Sequence, residues 1–237
     1  MIKTAIILAG GFGTRLQSVV SEVPKPMAPV AGHPFLEFLL AYAYHQGIQK
    51  AILSVGYKHE LIEAHFKKEY RGMKIEYAIE EEPLGTGGAI WNALQFCAKE
   101  TVLVMNGDSL LEVDIQALGR LKTEKSADML LSLKPMQDFD RYGVVEVDED
   151  LRILQFMEKT YRKTGLINGG VYCFDTEWAE KLPVSGRFSF EKDVLETFVG
   201  THAFFGFIST GYFIDIGIPE DYQRAQQTFK DKLSWLN

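Results

Sequence analysis

The chain has 237 residues, 46% of them hydrophobic and 24% charged, which is the composition of a globular protein large enough to bury a core without cross-links. Its net charge of -7 argues against general affinity for nucleic acid, because such affinity depends on neutralising phosphates with Lys and Arg. No apolar run approaches the ~20 residues that a membrane-spanning helix needs, so we expect no membrane partner.

The first half of the chain alternates predicted strands with predicted helices. Residues 4–9 form a short, continuous apolar run followed at once by glycines, which is typical of a strand buried on both faces. Residues 35–45 are mostly apolar, begin after Pro34 and end before Gly47, as expected of a buried helix. Further strands are predicted at 51–55, 75–79 and 101–105, and further helices at 60–68 and 86–98. This alternation predicts a mainly parallel sheet with helices on both faces.

The second half has shorter connections. Strands are predicted at 129–133, 143–147, 153–156, 170–174 and 204–208. Ser189 is placed to cap a helix that reaches Phe198, with Glu191 in its first turn, and a closing helix should run from Pro219 to about Trp235. We predict one domain over residues 1–237, in which residues 1–110 bind a nucleotide and residues 111–237 bind the co-substrate.

The first predicted strand leads into a glycine-rich loop, Leu8-Ala9-Gly10-Gly11-Phe12-Gly13-Thr14-Arg15-Leu16. Glycines let a backbone approach a ligand closely, and backbone N–H groups in such loops can bind phosphate oxygens. The guanidinium of Arg15 adds a permanent positive charge that suits phosphate. The loop is neither a dinucleotide fingerprint, since Leu16 stands where a third glycine is expected, nor a Walker A loop. By itself it is equally compatible with a tight turn between a strand and a helix.

Three further residues are candidates for phosphate or metal binding. Lys25 lies between two prolines, which present its ammonium from a stiff segment, although a lone lysine is more often a solvated surface residue. Asp108 follows a predicted strand in Asn106-Gly107-Asp108, and Asp215 is embedded in apolar residues. Both acids are candidate Mg²⁺ ligands, with a turn residue and a local cap as the alternatives. Because ligands collect at the carboxyl ends of parallel strands, we expect Asp108 and the glycine-rich loop to share one crevice.

Several catalytic classes are disfavoured. The five histidines are scattered, and no Ser-His-Asp or Cys-His arrangement is apparent. Cys97 and Cys173 are isolated, so we interpret them as thiols of a reducing compartment and expect a cytoplasmic protein. A phosphate oxygen as nucleophile would need no general base, and catalysis would then consist of positioning and charge stabilisation.

In their order along the chain, these motifs resemble the sugar-1-phosphate nucleotidyltransferases, also called nucleotide-sugar pyrophosphorylases. The resemblance covers nearly the whole chain. It rests on the loop at 8–16, Pro24-Lys25-Pro26-Met27, Glu82-Pro83-Leu84-Gly85-Thr86-Gly87-Gly88, Asn106-Gly107-Asp108, Glu158-Lys159, Asn168-Gly169-Gly170 and Asp215-Ile216-Gly217. The fold that it implies is a three-layer α/β/α architecture with a mixed, mainly parallel, Rossmann-like central sheet.

The resemblance also implies a role for each matching residue. Arg15 and Lys25 would hold the triphosphate and act in catalysis, and Asp108 and Asp215 would bind Mg²⁺. Nucleotide contacts would come from Leu8, Ala9, Gly10, Gly11, Gly13, Thr14, Glu80, Gly85, Thr86 and Asn106. Sugar-phosphate contacts would come from Gly143, Glu158, Lys159 and Asn168. The sugar-1-phosphate oxygen would attack the α-phosphorus of a nucleoside triphosphate and release pyrophosphate.

Further features of the sequence favour a particular nucleotide base and a particular sugar. A carboxylate at Glu80 can accept from the two adjacent donors of guanine, which favours GTP, although Glu80 is also compatible with a solvated strand end. Within the family, Asp138-Phe139-Asp140-Arg141-Tyr142-Gly143 and the runs around 165–170 and 212–217 resemble the bacterial guanylyltransferases that act on D-glycero-α-D-manno-heptose 1-phosphate. Mannose 1-phosphate as co-substrate, or uridylyl or thymidylyl transfer, stays open.

Two other classes are weighed against this hypothesis. A non-catalytic nucleotide-sugar sensor is expected to lose the lysine or a metal acid, whereas this chain keeps Lys25, Asp108 and Asp215. A dinucleotide-dependent oxidoreductase is disfavoured by Leu16. A homo-oligomer is compatible with all of these hypotheses.

Overall fold

The computed structural model describes residues 1–11 and 23–237. The strands are β1 (Thr4–Leu8), β2 (Pro29–Val30), β3 (His33–Pro34), β4 (Lys50–Val55), β5 (Glu69–Tyr70), β6 (Met73–Ile79), β7 (Thr101–Asn106), β8 (Ser109–Leu111), β9 (Met129–Phe139), β10 (Val145–Val147), β11 (Ile153–Phe156), β12 (Arg162–Asp175), β13 (Phe204–Ile208) and β14 (Phe213–Asp215). The α-helices are α1 (Phe35–His45), α2 (His59–Phe66), α3 (Gly85–Leu94), α4 (Ile115–Glu124), α5 (Thr176–Ala179) and α6 (Pro219–Thr228). Two 3₁₀ segments, Lys25–Met27 and Leu233–Leu236, and a π-helix, Phe190–Glu196, complete the described elements.

The central sheet has eight strands in the order β13-β9-β12-β7-β1-β4-β6-β5. Strands β7, β1, β4 and β6 are mutually parallel. Strand β12 runs antiparallel to both β7 and β9, and β5 runs antiparallel to β6. The predicted mixed, mainly parallel sheet is therefore confirmed, and strands from both halves of the chain form it.

Two hydrophobic cores lie on opposite faces of this sheet. Successive side chains of a strand point to opposite faces, so Ala5 and Ile7 of β1 enter one core while Ile6 enters the other. The first core is closed by α1, α2, α4 and α6. The second is closed by α3, α5 and the π-helix, with Phe190 and Phe174 fully buried in it. This is the predicted three-layer α/β/α arrangement, in which nearly continuous apolar strands are covered on both faces.

Some element boundaries differ from the predictions. Helix α3 stops at Leu94 instead of 98, because the N–H groups of Phe96 and Cys97 donate to carbonyls three residues back, in a tighter turn. Strand β12 is much longer than the predicted 170–174, since glycines and Asn168 interrupt its apolar pattern while its backbone still pairs with β9. The closing helix ends at Thr228 and is followed by a separate 3₁₀ turn.

The predicted helix cap at Ser189 is confirmed. Its hydroxyl oxygen accepts from the N–H of Lys192 at 3.2 Å, and the helix that follows begins as a π-helix.

No helix within the described ranges is both long and apolar enough to cross a bilayer.

The topology determines where a ligand can lie. The carboxyl ends of β7, β1, β4 and β6 face the same edge of the sheet, and the segments that follow them contain Asp108, Gly10, Gly56 and Glu80. The short pairing of β8 with β14 then adds Asp215 to this edge, because Asp215 is directly opposite Ser109. Residues more than 100 positions apart thus meet at one crevice.

Candidate active site

A cavity of about 680 Å³ opens at this edge of the sheet. The cavity is lined by the glycine-rich loop, the 3₁₀ turn that holds Lys25, the ends of four parallel strands, the start of α3 and the start of the π-helix. The lining residues are Leu8, Gly10, Gly11, Lys25, Pro26, Ser54, Gly56, Tyr57, His59, Ile79, Glu80, Glu81, Pro83, Gly85, Thr86, Ala89, Asn106, Gly107, Asp108 and Glu191. The expected common crevice for Gly10, Gly11 and Asp108 is therefore present. A volume of this size is in the range of small-molecule and cofactor sites.

Lys25 and Asp108 form an ion pair at one end of the cavity. The Lys25 Nζ is 2.6 Å from the Asp108 Oδ2, and the lysine side chain is 9% exposed while that of the aspartate is 42% exposed. The 3₁₀ turn Lys25–Met27, stiffened by its flanking prolines, presents the lysine. The ammonium is thus held inside the site, and the solvated-surface interpretation of Lys25 is wrong.

Asp215 is the second carboxylate at this end. Its Oδ1 accepts from the N–H of Gly217 at 2.7 Å, and the N–H of Ile216 donates to the Asp108 carbonyl at 2.9 Å. A Cβ added to Gly217 would lie 2.7 Å from the Asp215 Oδ1 and 3.2 Å from the Lys25 Nζ, so both charged groups face the same point. Burial raises the pKa of Asp215, the negative charge of Asp108 raises it further, and Lys25 opposes the shift.

A supporting layer behind Asp215 was not found by sequence reasoning. The hydroxyl of Tyr142 donates to the Asp215 Oδ2 at 3.4 Å, and the Arg141 guanidinium lies over the Tyr142 ring, 5.5 Å from its centroid. Arg141 in turn pairs with the carboxylate of Asp221, which is 5% exposed and also binds Arg224. In the sequence, Arg141 and Tyr142 stood out only as part of the run from Asp138 to Gly143, which gave no sign of their contact with Asp215 or Asp221.

Glu80 lies at the other end of the cavity, after β6. Its Oε1 accepts from the hydroxyl of Ser54 and its Oε2 from the N–H of Leu84, both at 3.1 Å. A Cβ on Gly10 would lie 2.7 Å from the Glu80 Oε1 and 3.3 Å from the Gly56 nitrogen, so a larger residue at position 10 would displace the Glu80 carboxylate. The carboxylate is fixed by these bonds, and each of its oxygens retains a lone pair for a ligand.

Gly85 and Thr86 line the cavity at the start of α3. Gly85 has a φ of +73°, and a Cβ there would lie 2.5 Å from the Phe188 carbonyl oxygen. The Thr86 hydroxyl donates to the Glu191 Oε2 at 2.6 Å and accepts from the N–H of Phe190 at 2.9 Å. Thr86 therefore lines the cavity with a hydroxyl whose hydrogen is already engaged.

The sugar-phosphate candidates lie outside the cavity lining and are brought together by backbone contacts. A Cβ on Gly143 would lie 2.5 Å from the Met157 carbonyl oxygen, and Glu158 follows Met157 directly. Val144 bridges Ile167, the neighbour of Asn168. The Asn168 Nδ2 donates to the Tyr172 hydroxyl at 2.9 Å, whereas Lys159 is exposed. The residue before Gly143, Tyr142, contacts the Asp215 carboxylate through its hydroxyl, which links this group to one of the two carboxylates.

Four residues predicted to bind the nucleotide or to act in catalysis are not among the described residues that line the cavity. Ala9 is fully buried, and its N–H already donates to the Ser54 carbonyl at 2.7 Å. Gly13, Thr14 and Arg15 lie outside the described residues, so their roles stay predictions.

The site carries a cation and two acids at one end and a fixed acceptor at the other. Within residues 1–11 and 23–237, no group of three or more His, Cys, Asp and Glu side chains is arranged to hold a metal ion. Two carboxylates alone fit a cation that takes its other ligands from water and substrate phosphates, which is how Mg²⁺ is usually bound. The arrangement therefore suits transfer of a phosphate-containing group.

A mixed sheet with this crevice, together with the sequence, defines a transferase of nucleotidyl groups. The chain belongs to the nucleotidyl transferase family, whose sequence profile matches residues 4–232. Similar proteins include the D-glycero-α-D-manno-heptose 1-phosphate guanylyltransferases of Aneurinibacillus thermoaerophilus, 51% identical over 94% of this chain and 96% of that protein, and of Campylobacter jejuni, 48% identical over 92% and 96%. The crystal structure of HddC from Yersinia pseudotuberculosis complexed with GMP-PN is also similar, with a TM-score of 0.86 and 40% identity over 96% of this chain and all of that one.

The raised pKa of Asp215 predicts a pH-dependent effect on stability. Above the pKa of an unfolded aspartate the ionised side chain destabilises the native state, and this cost disappears as the pH falls and Asp215 is protonated in both states. In buffer without divalent cations, Asp215→Asn should therefore increase the free energy of unfolding at neutral pH and leave it unchanged at acidic pH. Urea unfolding of the variant and of the exposed Asp231→Asn control measures this. Lower stability of Asp215→Asn at neutral pH would contradict it.

Proposed function

We propose that the chain is a guanylyltransferase that transfers GMP from GTP to D-glycero-α-D-manno-heptose 1-phosphate and releases pyrophosphate. The observation that carries this proposal is the similarity, at 51% and 48% identity over nearly whole chains, to two proteins named for this activity. The HddC structure complexed with GMP-PN supports a guanine nucleotide as a ligand of this chain. The described site supports such a transfer with the cation of Lys25 and the carboxylates of Asp108 and Asp215.

At the phosphate end, Lys25 is proposed to bind the triphosphate together with Arg15. In the free protein the Lys25 ammonium is paired with Asp108, so its charge is already positioned where phosphate oxygens would arrive. The attacking oxygen of a sugar 1-phosphate is anionic, so the residues need only align it with the α-phosphorus while the bond to pyrophosphate breaks. A fixed cation in a partly desolvated site stabilises the charge of that transition state.

Asp108 and Asp215 are proposed to hold Mg²⁺. The fit rests on their shared position beside Lys25, since the Asp215 Oδ1 and the Lys25 Nζ face the same point next to Gly217 and the N–H of Ile216 donates to the Asp108 carbonyl. A bound Mg²⁺ would supply Lewis-acid stabilisation of the transferring phosphoryl group. Tyr142 would keep the Asp215 carboxylate in its orientation, since it donates to the oxygen that Gly217 does not use.

Glu80 is proposed to recognise guanine. Its carboxylate is fixed by Ser54 and Leu84 at the end of the cavity remote from Lys25, and it can accept from the N1–H and N2–H₂ of guanine. Gly10 and Gly11 would lie along the nucleotide, with Leu8, Gly85 and Asn106 as further lining.

Asn168, Gly143, Glu158 and Lys159 are proposed to bind the sugar phosphate. Their backbone segments lie next to Tyr142, whose hydroxyl contacts Asp215, and this is the side from which the acceptor would approach the α-phosphorus.

We also propose a cytoplasmic location, because GTP is a cytoplasmic substrate and both cysteines are free thiols. A homo-oligomer stays a prediction.

A substrate panel tests the proposed reaction. GTP, UTP, dTTP, CTP and ATP are each combined with heptose 1-phosphate and with mannose 1-phosphate, and pyrophosphate release is measured in the presence of Mg²⁺. The expected result is the highest kcat/KM with GTP and the heptose. A preference for mannose 1-phosphate would change the sugar, and absence of pyrophosphate with every pair would refute the proposal.

Asp108→Asn should lower kcat by about 100-fold or more, the size typical of losing one preorganised electrostatic group. Binding of Mn²⁺, followed by electron paramagnetic resonance, should weaken in parallel, while the melting temperature confirms an intact fold. Glu124→Gln, an exposed position on α4, is the charge-matched control. Unchanged metal-dependent turnover in Asp108→Asn would exclude Asp108 as a metal ligand.

Glu80→Gln should lower kcat/KM for GTP about tenfold more than for UTP, because an amide offers one acceptor where a carboxylate offers two. The amide can still accept from the Leu84 N–H and donate to Ser54, so the local structure should persist. Glu82→Gln is the matched control, since Glu82 is exposed and does not line the cavity. An unaltered preference for GTP over UTP would assign base recognition to other groups.

A further inference from the structure

Glu191 is distinguished from the other residues of the cavity by its place in the chain. In the part of the chain that the structure describes, every other lining residue lies at or before Asp108. Glu191 belongs to the first turn of the π-helix Phe190–Glu196, in the half that was predicted to bind the co-substrate. It is half-buried and lies where the two halves meet.

The carboxylate of Glu191 is held in place by one of its oxygens. Its Oε2 accepts from the Thr86 hydroxyl at 2.6 Å and from the Ser189 hydroxyl at 3.0 Å. The Phe190 N–H donates to the Thr86 oxygen at 2.9 Å, which fixes that hydroxyl as well. The Oε1 makes no hydrogen bond to any residue within 1–11 and 23–237. Among the described residues, the Glu191 Oε1 is therefore an oriented acceptor without a donor, and it belongs to a residue that lines the cavity.

Two observations place this acceptor at the sugar side of the cavity. Glu191 directly follows Phe190 in the π-helix, and burial raises the pKa of the Tyr172 hydroxyl, with the negative charges of Glu191 and Asp108 adding to the shift. The same hydroxyl accepts from Asn168 at 2.9 Å, and the Tyr172 ring packs against Phe190 with centroids 5.0 Å apart. Tyr172 is in β12, next to β7, whereas Glu80 follows β6 on the far side of β1 and β4.

The charge of Glu191 limits what it can bind. A carboxylate repels phosphate oxygens and accepts hydrogen bonds from hydroxyl groups, and bonds to a charged acceptor are stronger than those to a neutral one. The groups of the two substrates that fit are therefore N–H and hydroxyl donors. The N–H groups of guanine are assigned to Glu80, and the donors on the Asn168 side are the hydroxyls of the sugar ring.

We propose that Glu191 is a specificity-determining residue whose Oε1 accepts a hydrogen bond from a ring hydroxyl of the sugar 1-phosphate. Thr86 and Ser189 act as positioning residues, since they hold the carboxylate without contacting the sugar through their own hydroxyl hydrogens. This inference rests on the proposed function, because it takes a sugar 1-phosphate as the co-substrate.

Glu191→Gln tests the inference with little change of structure. The amide oxygen can keep the bonds from Thr86 and Ser189, and the atom left for the ligand becomes a donor instead of an acceptor. The KM for heptose 1-phosphate and mannose 1-phosphate should rise about tenfold, while the KM for GTP and the melting temperature stay at their wild-type values. The control is Glu196→Gln, an exposed glutamate on the same helix, which should leave all of these values unchanged.

Monodeoxy analogues of mannose 1-phosphate identify the hydroxyl. For the hydroxyl that Glu191 binds, removing it and replacing Glu191 should not have additive effects, because both changes remove the same bond. Unchanged sugar-phosphate KM in Glu191→Gln, or an increase confined to the KM for GTP, would overturn the inference.

Calorimetry separates this inference from the proposed function. The dissociation constants of heptose 1-phosphate and mannose 1-phosphate are measured for wild type and Glu191→Gln in the presence of a non-hydrolysable GTP analogue. A wild type that binds both ligands yet releases no pyrophosphate from any pair refutes the proposed function, and the ratio of the variant's constants to those of the wild type then still decides the role of Glu191. A wild type that binds no sugar 1-phosphate overturns both.

Discussion

The carboxylates of Asp108 and Asp215 are held beside each other at the edge of the sheet, although their charges repel and Asp215 is largely buried. The ammonium of Lys25, 2.6 Å from Asp108, offsets part of this cost, and the pairing of β8 with β14 keeps the two acids in register. Placing a partly buried carboxylate next to a second negative charge is costly unless cations and hydrogen bonds compensate. Further compensation comes from the Tyr142 hydroxyl, which donates to Asp215. Arg141 lies over the Tyr142 ring and is held there by its ion pair with Asp221.

Charged side chains of opposite sign line different parts of the cavity. Glu80 at one wall and Glu191 at another offer acceptors, whereas Lys25 offers a cation to phosphate groups. This division matters in a chain whose net charge is -7, because long-range attraction cannot bring an anionic nucleotide to the right place. Orientation of the substrates must come from local groups, and each of these carboxylates is fixed by hydroxyl or N–H donors from a neighbouring segment.

The elements of the first half were predictable because a buried parallel strand is a continuous apolar run ended by glycine or proline. The sequence was less informative about β12, where glycines and Asn168 break the pattern, and about α6, whose polar face continues beyond the point where the helix ends. Lys25 is a similar case among the site residues. Its flanking prolines suggested a stiff segment, yet nothing local revealed that Asp108, 83 positions away, would take its charge out of solvent.

The order of strands and helices, the place of the glycine-rich loop after β1 and the family of the chain follow from the sequence by itself, because each depends on local periodicity or on motifs a few residues long. The partners of the charged groups were decided only by the tertiary structure. Asp215 meets Asp108 through an antiparallel pairing of short strands, and Glu191 reaches the cavity because a π-helix packs against the start of α3. Contacts between residues so far apart depend on the packing of the whole sheet, and no local pattern encodes them.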